Sequence, residues 1–127
     1  MPRIVRCGLI QCSNPLPGDR SLPDIKKAMI EKHLKLIEQA GKKKTQLLCL
    51  QELFYGPYFC AEQETKWYDT AEPMTGPTTK LMQALAKKHK MVIVSPIYET
   101  PSTGTAAIWT LRITPRATTF ARMPVIF

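Results

Sequence analysis

Three short apolar runs alternate with two stretches of helical periodicity, and this alternation leaves few architectures open. The first run spans residues 3–12, where Ile4, Val5, Leu9 and Ile10 are apolar and Arg6 breaks the run. The others are residues 46–51 and the segment from Met91 to Val94. Between the first two, Asn14-Pro15-Leu16-Pro17-Gly18-Asp19 reads as a loop, and Ser21 then offers a helix cap. Pro23 stands in the first turn and Asp24 lies three residues after the cap, the pattern expected where a helix begins. Its core stripe runs through Ile25, Met29, Leu36, Ile37 and Ala40, and Gly41 supplies a stop. A second helix opens at Gly76-Pro77-Thr78-Thr79 and carries Leu81, Met82 and Leu85 on one side. Strand, helix, strand, helix, strand is the order of an α/β sheet with right-handed crossovers, both faces of which are to be covered.

A chain of 127 residues fits one domain and buries roughly two-thirds of the surface its unfolded form exposes. The apolar fraction of 44% and charged fraction of 22% are those of an ordinary globular protein. No apolar run approaches the roughly 20 residues of a membrane span, and the N-terminus lacks the continuous apolar segment of a secretory signal. These features predict a cytoplasmic protein without a membrane partner. Cys7, Cys12, Cys49 and Cys60 could suggest two disulfides or a zinc site, but their spacings match no CxxC pair. Three of them stand in apolar, strand-like surroundings, where a free thiol packs as a small hydrophobe. The net charge of +8 raises nucleic acid as a partner. Its distribution argues against one, because Lys42-Lys43-Lys44 and Lys87-Lys88-His89-Lys90 close the two helical patterns. Cations there complement the helix dipole, and neither run is interleaved with the aromatics that a stacking platform requires.

The segment 47-LLCLQELFYGPYFC-60 interrupts this order. An apolar strand runs into Gln51-Glu52, and residues 53–75 then hold Phe54, Tyr55, Tyr58, Phe59, Trp67 and Tyr68. One reading is a satellite cluster over the sheet edge. The other is an aromatic-walled pocket, with Phe54, Tyr55, Tyr58 and Phe59 as candidate lining, because open α/β sheets bind ligands beyond the carboxyl ends of their strands. A carboxylate roofed by aromatics loses solvation, which raises its pKa and suits it to take and return protons. The alternative is a surface glutamate paired with one of the lysines.

Four blocks, VRCGLIQ (5–11), LLCLQELFYGPYFC (47–60), WYDTAEPMTGPTTKLM (67–82) and MVIVSPIYE (91–99), resemble the nitrilase, or carbon–nitrogen hydrolase, family. The likeness is strongest to its β-ureidopropionase and N-carbamoylputrescine amidohydrolase branches. It implies the N-terminal part of an αββα sandwich over residues 1–99, in a family that forms homo-oligomers through its outer layers. It also implies acyl transfer from a small-molecule N-carbamoyl or amide substrate through a Glu-Lys-Cys trio, with no metal or organic cofactor. Glu52 falls on the general-base position. An N-carbamoyl-β-alanine substrate would yield β-alanine, carbon dioxide and ammonia.

The family's lysine and cysteine lie on later strands, whereas the last lysine here is Lys90 and the last cysteine Cys60. Neither role carries over, and Cys60, without a nearby lysine, is expected to pack beneath Tyr58 and Phe59. Pro77 and Thr78 are expected to start a helix rather than touch substrate. From Thr100 the chain holds seven Thr but no Lys and no acid. Residues 100–127 therefore read as a divergent, largely irregular tail from a displaced frame or an early-ending gene model, although Ala106 to Ile113 could form a strand. The expectation is an amidohydrolase fragment inactive alone, with a non-catalytic module that joins intact family members as the alternative.

Overall fold

Each apolar run becomes a strand of one sheet. The computed structural model describes residues 4–59, 65–100, 107–116 and 123–124. In chain order the elements are β1 (Cys7–Ile10), α1 (Leu22–Lys42), β2 (Leu47–Leu50), a 3₁₀ segment (Thr65–Thr70), α2 (Pro77–His89), β3 (Val92–Glu99), β4 (Ala107–Ile113) and β5 (Met123–Pro124). The sheet order is β1-β2-β3-β4-β5. β1, β2 and β3 run parallel, in register at Leu9↔Cys49 and Cys49↔Val94. β4 then pairs antiparallel with β3 from Ile93↔Ile113 to Glu99↔Ala107.

The sequence cues for α1 act as expected. Ser21 is the N-cap, its hydroxyl accepts the Asp24 N–H at 3.3 Å, and Ile25, Met29, His33 and Ile37 form the buried stripe. Leu36 and Ala40 of the expected stripe pack against the core from half-buried positions. Gly41 is not the stop. The helix runs through it to Lys42, and the chain turns at Lys44, whose φ is 57°. The two lysine-rich runs lie at the helix C-termini, with Lys42 in the last turn of α1 and Lys87, Lys88 and His89 in that of α2.

Both helices cover the same face. Strands in consecutive order joined by right-handed crossovers place each connecting helix on one side of the sheet. Ile37 of α1 and Met82 and Ala86 of α2 accordingly share one core with Leu48, Leu50, Ile93, Leu111 and Ile113. Burying each large apolar side chain there contributes roughly 1.5–3 kcal/mol. The opposite face carries Cys7, Leu9, Cys49 and Val94, and Leu9 is 71% exposed. The expectation that both faces are covered is thus corrected for the described residues, because order 1-2-3 gives no crossover to the second face.

β3 outlasts β2, and its free edge is closed by other means. Val92 N–H donates to Gln46 O at 2.8 Å and Tyr98 N–H to the Tyr55 hydroxyl at 2.8 Å, so alternate amides point toward β2. Pro96 occupies that set just past the end of β2, where a missing donor costs nothing. The Tyr55 hydroxyl also donates to Tyr98 O at 3.2 Å, and Glu72 N–H donates to the same carbonyl at 2.9 Å. These contacts satisfy an edge that would otherwise present open backbone groups. The apolar run marked β3 as far as Val94 and the family-like block MVIVSPIYE as far as Glu99; pairing with β4 carries the strand to Glu99. Of the last dozen residues, Met123–Pro124 form a two-residue strand against β4. Within the expected irregular tail, Ala107–Ile113 form β4, where a strand from Ala106 to Ile113 was the alternative, while residues 101–106, 117–122 and 125–127 lie outside the described residues, as does Cys60.

Candidate functional site

Glu52 stands two residues after the end of β2, on the tight turn through which the chain leaves the sheet. Leu53 adopts φ 52°, rare for a bulky residue, and its carbonyl accepts the Gly56 N–H at 3.0 Å. Leu53 is also 2% exposed, so core packing holds the turn in this conformation. On its other side, the Gln51 side chain accepts the Cys12 N–H at 2.6 Å, tying the ends of β1 and β2 together. Glu52 is half-buried, and its Oε1 is shut off from solvent with no hydrogen-bond partner among the described residues. Burying an unsatisfied carboxylate oxygen is costly. Such an oxygen is an open acceptor, able to take a proton from a group brought against it.

The four aromatic candidates divide. Phe54 is fully buried, edge-on to His33 at a centroid distance of 5.2 Å. Tyr58 is 56% exposed. Tyr55 and Phe59, by contrast, line a cleft of about 580 Å³ together with Leu22, Pro23, Lys26 and Glu72. Phe59 stacks on Trp67 at 5.7 Å and leans on Tyr98 at 5.1 Å. Burial pushes the Tyr55 phenol well above its usual range, against the opposing effect of its bond to Tyr98. The cleft is of a size common for small-molecule sites, yet Glu52 is not in its lining. The open carboxylate and this cleft are therefore separate features of the same loop.

Two residues that the sequence did not single out organise the surroundings. Glu72 accepts the Thr78 N–H at 3.0 Å and the Thr78 hydroxyl at 2.7 Å, and it forms an ion pair with Lys26. Gly76, the N-cap of α2, has no side chain to offer, so Glu72 caps the helix from outside it. Close packing enforces the glycine: a Cβ there would lie 2.7 Å from Pro73 O and 2.9 Å from Glu72 Oε2. A carboxylate just ahead of a Gly-Pro helix start is the signal that could have revealed it. Pro77 and Thr78 start the helix, as expected.

His33 is 0% exposed in the middle of α1. Burial, with the Lys32 charge adding to it, holds its pKa below the ordinary value of 6.5, and the contact with Met29 O opposes this. Its place in the buried stripe, one turn after Met29, was the available signal, but the apolar reading of that stripe passed over it. Cys7, Cys12 and Cys49 are free thiols. Among the described residues no cluster of three His, Cys, Asp or Glu side chains could hold a metal ion, and no helix is long and apolar enough to cross a membrane.

Residues 8–116 match the model of the carbon-nitrogen hydrolase family. The chain belongs to that family. It is 41% identical over 108 residues to the β-ureidopropionase of Arabidopsis thaliana, covering 85% of this chain and 26% of that protein. It is 35% identical to the N-carbamoylputrescine amidase of Oryza sativa subsp. japonica, covering 60% of this chain and 26% of that protein. The crystal structure of a carbon-nitrogen hydrolase from Helicobacter pylori G27 superposes with a TM-score of 0.75 at 28% identity, covering 92% of this chain and 37% of that one. The chain thus spans about a quarter of the length of these curated relatives. The fold is the corresponding part of a nitrilase-like α/β domain. The family match also continues through β4, so the break in composition at Thr100 does not end the likeness.

Proposed function

We propose that the chain carries the general-base part of a hydrolase acting on C–N bonds other than peptide bonds, with N-carbamoyl amines or N-carbamoyl-β-amino acids as the substrate class. The observation that supports this most is the Glu52 carboxylate, half-buried at the carboxyl end of a parallel strand with one oxygen inaccessible and unpartnered among the described residues. In this reading Glu52 draws the proton from a nucleophilic thiol and later from the hydrolytic water. Tyr55 and Phe59 supply aromatic walls from the adjoining cleft, while Phe54 supports the turn from the core.

No residue of this sequence takes the family's lysine or cysteine role, so the chain alone should release no measurable ammonia from N-carbamoyl-β-alanine. Turnover at the rate of an intact family enzyme would overturn this. Glu52 itself is tested in a chimera in which residues 8–116 replace the matching segment of the Arabidopsis β-ureidopropionase. Glu52→Gln in that chimera should lower activity at least about a hundredfold; unchanged turnover would remove the general-base assignment.

A second reading, a non-catalytic module that joins intact family members, is favoured by the uncovered sheet face with its exposed Leu9 and by Ile4, which is 90% exposed. Apolar surface of this kind recruits partners. Co-elution with a full-length homologue, followed by light scattering, separates a module from an inert fragment.

A further inference from the structure

Cys12 follows β1 and His33 sits in the middle of α1, yet Cys12 Sγ lies 3.8 Å from His33 Nε2. On the other side of the ring, His33 Nδ1 is 2.9 Å from Met29 O. A carbonyl oxygen accepts and cannot donate, so Nδ1 carries the ring proton and Nε2 presents a lone pair. That lone pair faces the thiol. The ring cannot easily turn away, because Phe54 meets it edge-on at 5.2 Å and helix α1 buries it completely. The Cys12 backbone is fixed too, through its N–H to Gln51 Oε1 at 2.6 Å. Cys12 itself is half-buried.

Thiol, base and a third group orienting the base make up the general arrangement of an activated nucleophile. Here Met29 O is the orienting group, and it keeps Nε2 turned toward the sulfur. The Cys12 N–H is already taken by Gln51, so it offers no donor to a tetrahedral oxyanion, which disfavours acyl chemistry at this sulfur. Addition to a conjugated carbonyl makes no tetrahedral acyl intermediate and releases no leaving group.

We propose that Cys12 is a covalent modification site for small α,β-unsaturated carbonyl compounds, with His33 as the positioned proton acceptor. Cys12 Sγ bonds to the β-carbon while its proton passes to His33 Nε2. The π electrons of the alkene move toward the carbonyl as an enolate. His33 then returns the proton to the α-carbon, and the product is a thioether formed by net addition. No oxidant, reductant or leaving group is involved. The inference is independent of any role for Glu52.

Acrylamide is the probe, applied to the whole folded chain at neutral pH, with each thiol followed by peptide mass spectrometry. Cys12 should be alkylated at least about tenfold faster than Cys7, even though Cys7 is the more exposed thiol. His33→Asn keeps a donor for Met29 O and removes the basic ring nitrogen that faces Cys12. It should slow Cys12 at least about tenfold and leave Cys7 unchanged. A smaller advantage of Cys12 over Cys7 in the unaltered chain, or an equal advantage in the folded variant, overturns the proposal. Should the variant unfold, seen as half-buried Cys49 rising to the rate of Cys7, the comparison within the unaltered chain decides by itself.

Discussion

The Glu72 carboxylate joins two helices through residues far apart in the chain, Lys26 on α1 and Thr78 at the start of α2. Its own backbone holds the free edge of β3, since Thr100 N–H donates to Glu72 O at 2.9 Å. Glu72→Gln keeps the volume but loses the charge and one acceptor. It should lower unfolding stability by about 1–2 kcal/mol in urea titrations. Lys26→Ala should cost less, because Lys26 is about a third exposed and solvent screens its half of the pair. His33 sets a pH dependence. The folded chain holds its pKa below the ordinary 6.5, so between those two values the unfolded chain binds a proton that the folded chain refuses. Stability should therefore hold above pH 6.5 and fall as pH drops below it. Urea midpoints on either side of that pH should show a smaller fall in His33→Asn. Ser21 and Asp24 were legible as a cap because their partners are neighbours in sequence. Glu72 and His33 were not, because their partners are set by packing.

Among the elements, α1 and α2 meet at Gly41. A Cβ there would lie 2.2 Å from His89 Nδ1 and 2.6 Å from Cγ, close to the root of that side chain. Glu38, one turn earlier on α1, pairs with Lys88 and lies 3.2 Å from His89 Nε2. Alanine in a helix interior normally gains about 1 kcal/mol over glycine, whereas overpacking costs about 1–3 kcal/mol. Gly41→Ala should thus be neutral at best and more often destabilising, and His89→Ala in the same chain should turn it into a stabilising change. Thermal midpoints of the two single variants and the double variant check this coupling. Local cues read Gly41 as a helix stop because glycine commonly follows the last residue of a periodic stripe. Its real constraint is the approach of a second helix, which no local pattern records. The apolar run likewise marked β3 only to Val94, whereas the family-like block MVIVSPIYE reached Glu99, where pairing with β4 ends the strand.

At the scale of the whole molecule, one face of the sheet is a helix-covered core, and among the described residues the other carries Leu9 in the open. With Val5 55% and Leu9 71% exposed on or beside edge strand β1, self-association or capture by a related sheet is the expected behaviour. Leu9→Lys should shift the mass measured by light scattering toward the 14.4 kDa of a single chain; an unchanged mass would place the contact elsewhere. The strand that carries Glu52 to its end could be read from sequence, because an apolar run closing on a carboxylate is a local pattern. The separation of Glu52 from the aromatic cleft, and the split of Phe54 from Tyr55 and Phe59, could not.

By itself the sequence determined the element order, the helix starts and the strand that delivers Glu52, since these follow from periodicity and from caps acting over a few residues. Tertiary structure decided which face the helices cover, which side chains close the edge of β3, and the meeting of Cys12 with His33. Each of these depends on groups that the chain separates widely and that only the register of the sheet brings within contact distance.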